Sequence, residues 1–367
     1  MKFVGSYTND LKRLMIASAV AGHNVMFVSP PGWGKTEMAR AAAESIAGAD
    51  GSLTVEFDPS SPPEIIKGIY DPAQMLQGKA VKLIENTPYD PTKHIVVLDE
   101  VWRGNDPLFD SLLHATSMKN VDPATRPVFW GTSNFVGKAE RTAALRDRFA
   151  LWHFMSNLDL DASGIVEAHL MNGTGLDPTW AKDFPKWADC VAIRRTHPGL
   201  LALDAVTELV NQVIEEANNA KFSVNPRRVT QWAELLYFSS VLSTGSTNFT
   251  TIPAEVTKLL QYAYPCTDEK TAAEWRTVAL SIGDKVGAAI EAVMALAVEA
   301  FKQVTVTAAG DSGKMASLSI DLGLKLTDAQ EKLEKIGEKY GEETRINEAT
   351  NKLTSIYRKA LRGEKLS

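Results

Sequence analysis

The sequence is poor in the features that mark secreted, zinc-binding and polyanion-binding proteins. Among its 367 residues there are two cysteines, Cys190 and Cys266, and neither belongs to a CxxC or Cys/His spacing. This argues against a disulfide framework or a structural zinc site and favours a reducing compartment. Basic residues are also fewer than acidic residues, with 39 Lys and Arg against 45 Asp and Glu. The net charge of −6 counts against nucleic acid as the default partner.

The sequence shows neither a long apolar segment nor the pattern of a signal peptide. The N-terminus lacks the charged and then apolar layout of a signal peptide. The most apolar stretch, residues 286–301, contains two glutamates and is too short to cross a bilayer. With 44% hydrophobic residues, the chain can bury the cores of about two or three domains. We therefore expect a cytoplasmic globular protein without membrane attachment.

What the sequence does contain is a phosphate-binding loop. The apolar run 24–28 is followed by Ser-Pro-Pro-Gly-Trp-Gly-Lys-Thr at positions 29–36 and then by a helix-like segment. Such a strand-to-helix turn directs backbone N–H groups at phosphate oxygens, while its lysine reaches the terminal phosphates and its threonine hydroxyl coordinates Mg²⁺. The sequence therefore predicts binding of ATP with Mg²⁺. The residues predicted to contact the nucleotide are Pro31, Gly32, Trp33, Gly34, Lys35, Thr36 and Glu37.

The loop departs from the pattern G-x-x-x-x-G-K-[ST] at its first position. Ser29 stands where the pattern has glycine, and Pro30 and Pro31 stiffen the turn that follows. The alternative is a Gly-Lys-Thr that occurs by chance on a surface turn. The strand-like run before it and the helix-like segment after it favour the phosphate loop.

A second apolar run, residues 94–98, ends in two carboxylates, Asp99 and Glu100. A buried parallel strand delivers such residues to the sheet edge at which a phosphate loop also lies. There Asp99 would hold Mg²⁺, and Glu100 would orient and deprotonate the attacking water. The alternative is that the pair caps the following helix.

Two further segments supply candidate residues. Asn134 follows the apolar run 127–131 and would hold the attacking water, although asparagine after a strand is also ordinary turn chemistry. Arg146 and Arg148 flank Asp147 on a predicted helix end. A guanidinium directed at a neighbouring subunit's nucleotide would stabilise negative charge in the transition state, whereas the alternative is an exposed ion-pair cluster.

Five segments taken together resemble the MoxR family of AAA+ ATPases, and its RavA-like branch above all. They are AGHNVMFVSPPGWGKT, DPSSPPEIIKG, HIVVLDEVWR, FWGTSNF and ALRDRF, in this order. The resemblance covers about residues 12–155. It implies that Lys35 and Thr36 are the Walker A lysine and magnesium hydroxyl, that Asp99 and Glu100 are the Walker B pair, and that Asn134 is sensor 1.

The resemblance also implies roles for the arginines and the assembly. Arg148 matches the family's arginine finger and Arg146 is the alternate. Arg227, in Asn-Pro-Arg-Arg at positions 225–228, is the sensor 2 candidate, and the alternative is a capped helix with a solvated arginine pair. The family's ring, most often a hexamer, and a von Willebrand factor A-domain protein as partner are further expectations from the resemblance.

The pattern along the chain predicts an α/β fold, with an AAA+ parallel-sheet core at 1–156, a helical lid at 157–245 and a mostly helical C-terminal region at 246–367. Within the core, residues 66–78 and 118–126 stand where the family has its helix-2 insert and presensor hairpin, and Tyr70 is a weak pore-loop candidate. In the C-terminal region, short alternating segments at 304–307 and 317–320 predict a β-hairpin, and stripes at steps of three and four predict paired helices.

We interpret the chain as an ATPase that remodels or assembles another protein, and the resemblance further implies a chaperone-like role. Two alternatives stay open. A DNA-dependent motor would show ATPase stimulation by DNA, against the acidic balance of the chain. A nucleotide-switched scaffold with little turnover would be consistent with the Ser29 departure but not with an intact Glu100.

Overall fold

The computed structural model describes residues 9–68, 88, 90, 92–117, 121–137, 140–155, 183–283, 290, 293–294, 296–298, 300–301, 315–340 and 343–361. Its contacts divide the chain into two compact units, residues 1–276 and 277–367. The finer division into core, lid and C-terminal region stays a prediction. Among the described residues, no helix combines the length and the apolar character that a bilayer span requires.

A five-stranded parallel sheet forms the centre of the first unit. In the order β2-β3-β4-β1-β5, every neighbouring pair is parallel. The four internal residues 95–98 of β3 and all of β4 are buried, as expected for strands that are covered on both faces. The strands are β1 (Asn24–Val28), β2 (Ser52–Glu56), β3 (Ile95–Asp99), β4 (Val128–Ser133) and β5 (Phe149–Phe154). The predicted parallel α/β core is confirmed.

Helices connect these strands and cover the sheet. The helix Asp106–Ala115 has a capped start, because the Asn105 side chain accepts a hydrogen bond from the Leu108 N–H at 3.0 Å and Pro107 occupies the first turn. The helices of the strand-containing part are α1 (Asn9–Ala21), α2 (Lys35–Ala47), α3 (Glu64–Lys67), α4 (Asp106–Ala115) and α5 (Ala143–Arg146), with 3-10 turns at Val101–Arg103 and Glu140–Thr142.

The part of the first unit that follows the sheet is helical where it is described. Its elements are α6 (Trp187–Arg194), α7 (Leu200–Asn219), α8 (Pro226–Thr244), α9 (Ala254–Thr257), a 3-10 turn at Lys258–Tyr262 and α10 (Glu269–Gly283), which extends past residue 276. The predicted cap of α8 is present, because the Asn225 side chain accepts from the Arg228 N–H at 2.9 Å. Helix α8 packs along α1 and thereby joins this helical part to the sheet.

The second unit contains two long helices, α11 (Met315–Tyr340) and α12 (Glu343–Leu361). Their predicted apolar stripes pack against each other within one chain. Leu322, Ala329 and Leu333 form a buried cluster with residues of α12. The cluster residues of α12 are Ile346, Ala349 and Leu353. The predicted β-hairpin is wrong at its second strand, because residues 317–320 lie in α11.

Several predicted segments lie outside the described residues. They are most of the helix-2 insert with Tyr70, the beginning of the presensor hairpin, the first hairpin strand at 304–307 and residues 156–182. The described end of the presensor segment, residues 121–126, is a turn.

A buried histidine joins α1, β1 and α8. His23 is 6% exposed, and its Nε2 lies 3.0 Å from the backbone oxygen of Gln231. Its own carbonyl accepts from the Ser18 hydroxyl at 2.6 Å. Burial lowers the pKa of His23 to about 4, and the nearby Arg194 and Arg228 lower it further against the raising effect of the hydrogen bond to Gln231. The imidazole is therefore neutral in the folded protein at physiological pH.

This burial makes stability depend on pH. The folded pKa of about 4 lies below the ordinary 6.5, so the unfolded chain binds more protons between these values and stability falls as the pH drops from 6.5 towards 4. We expect a loss of about 3 kcal/mol from His23 across this window. Urea titrations at pH 7.5 and 5 should show a smaller loss in His23→Gln than in wild type. In the control His114→Gln, which removes an exposed side chain, the wild-type loss should be unchanged. Equal losses in all three proteins would contradict the assignment.

Candidate functional site

The order of the strands brings the predicted nucleotide site together. Strand β4 lies between β1, which leads into the phosphate loop, and β3, which ends in Asp99. All three strands run in the same direction, so their carboxyl ends share one edge of the sheet. Asn134, directly after β4, therefore stands between the phosphate loop and the Asp99–Glu100 pair.

The phosphate loop tolerates serine at its first position. The two residues with a left-handed backbone in the loop are Gly32, at φ 88°, and Gly34, at φ 68°. Ser29 has no positive φ, and it lies buried with its N–H bonded to the Ser133 carbonyl at 3.2 Å. The pattern's first glycine is thus dispensable here, because the turn requires the freedom of glycine at the fourth and sixth residues after β1 rather than at the first. We read the Ser29 departure as compatible with phosphate binding.

Lys35 is held in the centre of the loop. It is 6% exposed, and its Nζ donates to the carbonyls of Ser29 at 3.0 Å and Pro30 at 3.2 Å and to the Asn134 amide oxygen at 2.8 Å. Burial lowers the pKa of Lys35, whereas Glu100 and Asp99 oppose that change. An ammonium group buried among neutral acceptors in this way can exchange them for phosphate oxygens at a gain in charge pairing.

A pair of hard oxygen ligands lies beside this lysine. The Thr36 hydroxyl donates to Asp99 Oδ1 at 2.7 Å, and Thr132 of β4 donates to the same oxygen. A hydroxyl and a carboxylate that already meet at the start of a helix have the oxygen chemistry that Mg²⁺ prefers, with room for water and phosphate ligands. The residues present thus fit a Mg–nucleotide complex.

Glu100 is held by its neighbours in an unusual backbone conformation. Its φ is 53°, and its Oε1 accepts from the Asn134 amide at 2.6 Å. Its Oε2 lies 3.6 Å from Arg103 Nε and, among the described residues, has no hydrogen-bond donor. Glu100 precedes a 3-10 turn but makes no side-chain cap there, which removes the capping alternative. A left-handed residue other than glycine is costly, and such residues cluster at functional sites as well as at helix ends, where Lys221 of this chain lies.

The arginine-finger candidates lie away from this group. Residue Phe149, at the start of β5, pairs with Asn24 at the start of β1, so Arg148 stands at the amino end of the sheet. The five residues of β1 separate that end from the phosphate loop, which is about 15 Å along the strand. Arg148 is half-buried, and burial lowers its pKa, as does Arg227. Arg146 instead donates to the Gly137 carbonyl and, at 2.8 Å, to the Thr142 hydroxyl of its own chain.

The sensor 2 candidate lies beside Arg148 and away from Lys35. Arg227 and Arg228, in the first turn of α8, both bind Asp147, Arg228 at 3.0 Å. Arg228 is 2% exposed and also donates to the Ala150 carbonyl at 3.2 Å, whereas the Arg227 side chain is 47% exposed. Arg227 and Arg148 line one cavity at the amino end of the sheet. The alternative of a solvated arginine pair agrees with the structure for Arg227, which faces solvent, but not for Arg228, which is buried.

Sequence reasoning overlooked two residues of the nucleotide site. Thr132 binds Asp99, and Arg103 approaches Glu100. A signal for Thr132 was present, because residues two apart on a strand point to the same face and Thr132 lies two positions before Asn134. Nothing in the pattern distinguishes Arg103 from an ordinary exposed arginine.

The chain is similar in sequence to one protein family and in fold to a solved structure. A model of the MoxR domain in the MoxR-vWA-beta-propeller ternary systems matches residues 2–186. A structure of a protein of Cytophaga hutchinsonii named as a candidate ATPase has a TM-score of 0.53 and 14% identity, and the match covers 76% of this chain and 89% of that one. A variant of Thermotoga maritima RuvB has a TM-score of 0.30 and 17% identity over 64% of this chain and 70% of that one. No curated protein is significantly similar to the chain.

Asp147 should stabilise the junction between β5 and α8. Asp147→Asn removes the carboxylate that compensates the buried Arg228, and a buried charge left without its partner costs about 3 kcal/mol. Urea unfolding should show this loss. The matched control is Asp183→Asn, because Asp183 is 82% exposed in its pair with Lys12 and should change stability by less than about 1 kcal/mol. Losses of equal size in the two variants would show that the buried Asp147–Arg228 pair contributes no more to the free energy of unfolding than the exposed pair does.

Proposed function

The chain belongs to the MoxR family of AAA+ ATPases, and from this premise we propose that it binds ATP with Mg²⁺ and hydrolyses it at the interfaces between subunits. The observation that carries the proposal is the chain of hydrogen bonds from Lys35 through Asn134 to Glu100. It places an ammonium, an amide and a carboxylate side by side at a phosphate loop, as hydrolysis of a phosphoanhydride requires.

The binding step uses the loop and its lysine. Backbone N–H groups of residues 32–36 donate to phosphate oxygens, and Lys35 exchanges its carbonyl acceptors for oxygens of the terminal phosphates. Thr36 and Asp99 are the residues that would hold Mg²⁺. The ion would neutralise charge on the phosphate oxygens.

The chemical step uses the carboxylate of Glu100. Asn134 fixes one of its oxygens, which leaves Oε2 to accept a proton from water. The oxygen of that water forms a bond to the terminal phosphorus as the bond to the leaving diphosphate oxygen breaks in line with it. Asn134 and Lys35 keep the water and the phosphate aligned, since both already contact the site.

Completion of the site requires a second subunit. Arg148 stands at the opposite end of the sheet from its own phosphate loop, so it can reach only the nucleotide of a neighbour. Arg227 shares its cavity and acts from the same side. The hydrogen bonds of Arg146 to its own chain favour Arg148 over Arg146 as the finger. A head-to-tail contact of this kind repeats into a ring, for which a hexamer is our proposal, or into an open filament if it does not close.

The partner is a protein rather than nucleic acid. The matching model describes MoxR domains in systems that also contain a vWA and a β-propeller component. We assign to this chain a von Willebrand factor A-domain partner that the ATPase cycle remodels or assembles, in the cytoplasm where ATP is available. In this proposal, residues 1–156 form the ATPase core, 157–245 the lid and 246–367 the region that adapts the motor to its partner. The negative net charge disfavours the DNA-dependent alternative.

Glu100→Gln tests the chemical step and the assembly together. The variant keeps the hydrogen bond from Asn134 but loses the proton acceptor, so ATP should still bind while phosphate release falls about 100-fold or more. Light scattering should show a rise in mass with Mg·ATP in wild type and in the variant. The control Glu208→Gln changes an exposed glutamate of α7 and should leave both quantities unaltered. Slow turnover that is insensitive to Glu100 would favour the nucleotide-switched scaffold.

Mixing two inactive variants tests action in trans. The Glu100→Gln subunit keeps Arg148, and the Arg148→Ala subunit keeps Glu100. An interface is therefore intact when the Arg148→Ala subunit holds the nucleotide and the Glu100→Gln subunit supplies the finger. Equal amounts should restore about a quarter of wild-type phosphate release, because one interface in four has this composition when subunits mix at random. No recovery in mixed assemblies of ring-sized mass would contradict the trans role of Arg148.

A further inference from the structure

A polar cavity of about 370 Å³ lies at the amino end of the sheet. The turn after α1, the segment before β4 and the first turns of α8 line it. Its basic side chains are those of Arg126, Arg148, Arg194 and Arg227, and Glu234 is the acidic residue among the described lining. Arg148 and Arg227 have a place in the proposed mechanism, but Arg126 has none.

Arg126 resembles Arg148 in its surroundings. Both are half-buried, and the Nε of each is enclosed without a hydrogen-bond acceptor in the described part of the chain. An enclosed guanidinium N–H without an acceptor is costly, so such a group favours any ligand that supplies an oxygen there. Two arginines in this condition on one cavity wall indicate a binding site for an anion with several oxygens.

The backbone that carries Arg126 is braced by a buried residue. Arg194 is 9% exposed, and its Nη1 donates to the carbonyls of Ala124 and Arg126, both at 3.1 Å. Its Nε donates to the Val20 carbonyl at 3.3 Å, and its guanidinium lies 4.6 Å from the centre of the Trp187 ring. Arg194 therefore uses its donors to hold the backbone of the cavity wall, and this positions Arg126. The Arg126 side chain remains available for a ligand.

The acidic residues nearby do not cancel this positive charge. Asp147 is shared between Arg227 and Arg228. The Oε2 of Glu234 lies 3.5 Å from His23 Nε2. Burial raises the pKa of Glu234, although Arg126 and Arg194 lower it. Two carboxylates thus lie near Arg126, Arg148 and Arg227. Asp147 is already shared between two arginines, and burial disfavours the anionic form of Glu234.

We propose that Arg126 is a further catalytic residue of this ATPase, and that with Arg148 it contacts the terminal phosphates of the nucleotide on the neighbouring subunit. The inference rests on the proposed function. Arg126 stands two residues before β4 begins, so it lies at the amino end of the sheet and cannot reach its own phosphate loop. Its cavity partner Arg148 lies at that same end. Transition-state charge on the phosphoryl oxygens would be stabilised by the guanidinium groups of both arginines, which line this cavity.

Arg126→Ala is the variant that tests this role. Phosphate release should fall about 100-fold, while the affinity of each subunit for Mg·ATP and the mass of the assembly stay close to those of wild type. Arg195→Ala is the matched control, because Arg195 follows Arg194 directly and is exposed in its pair with Asp122 outside the cavity. It should leave phosphate release unchanged. Should Arg126→Ala reduce the assembly mass, Arg126→Lys, which keeps the charge but loses the forked donors, replaces it in every mixture below.

Two mixtures then separate action in trans from action within a subunit. Equal amounts of Arg126→Ala and Glu100→Gln should restore about a quarter of wild-type phosphate release, because one interface in four combines the intact Glu100 with an intact cavity. Equal amounts of Arg126→Ala and Arg148→Ala should restore nothing, because both defects lie on the same donated surface. Recovery in the second mixture would mean that Arg126 acts in its own subunit and would overturn the inference.

The proposed function can stand while this inference fails. Recovery from Glu100→Gln with Arg148→Ala, but none with the Arg126 variant, would retain the trans finger and reject Arg126. Unchanged phosphate release in Arg126→Ala would reject it as well. Failure of both mixtures with Glu100→Gln would instead reject hydrolysis between subunits altogether.

Discussion

The buried ammonium of Lys35 is the group on which the arrangement of the site depends. Its three donors bind two carbonyls of the phosphate loop and the amide oxygen of Asn134. The other end of that amide binds Glu100. Asn134, directly after the central strand β4, therefore connects the loop after β1 to the carboxylate after β3, and the strand order makes this possible. In the proposed mechanism, phosphate that binds Lys35 would also act on Glu100 through Asn134, and this would link nucleotide binding to the activation of water.

A second constraint is the length of the sheet. The loop and Glu100 lie at its carboxyl end, and the cavity with Arg126, Arg148 and Arg227 lies at its amino end. Strands of five and six residues keep these groups about 15 Å apart within a subunit. One surface of the protein thus carries the predicted nucleotide site, and another carries a cluster of basic side chains. In the proposed mechanism these surfaces complete each other between copies, which then follow one another head to tail.

The sequence is sufficient to predict those features that depend on local chemistry. The phosphate loop requires glycine at positive φ and a lysine, the buried strand requires a run such as Ile95–Leu98 before Asp99, and the α8 cap requires Asn225 before a proline. The location of Arg227 could not be predicted from the sequence, because it depends on the packing of α8 against α1 and on the ion pair with Asp147. Residues 317–320 alternate like a strand, but four residues are too few to outweigh the helical stripe that continues through α11.

The position of Arg126 shows why such residues escape sequence reasoning. It precedes an apolar strand after a polar turn, and that context is typical of an exposed arginine. Its significance arises from Arg194, which lies far along the chain and fixes the carbonyls of Ala124 and Arg126 against the end of α1. A side chain becomes available for a ligand when another residue satisfies the backbone beneath it, and no local pattern records that relation. Cavities in which one arginine is fully bonded and its neighbours are not therefore deserve inspection as anion sites, since the bonded residue supplies the rigidity and the others the charge.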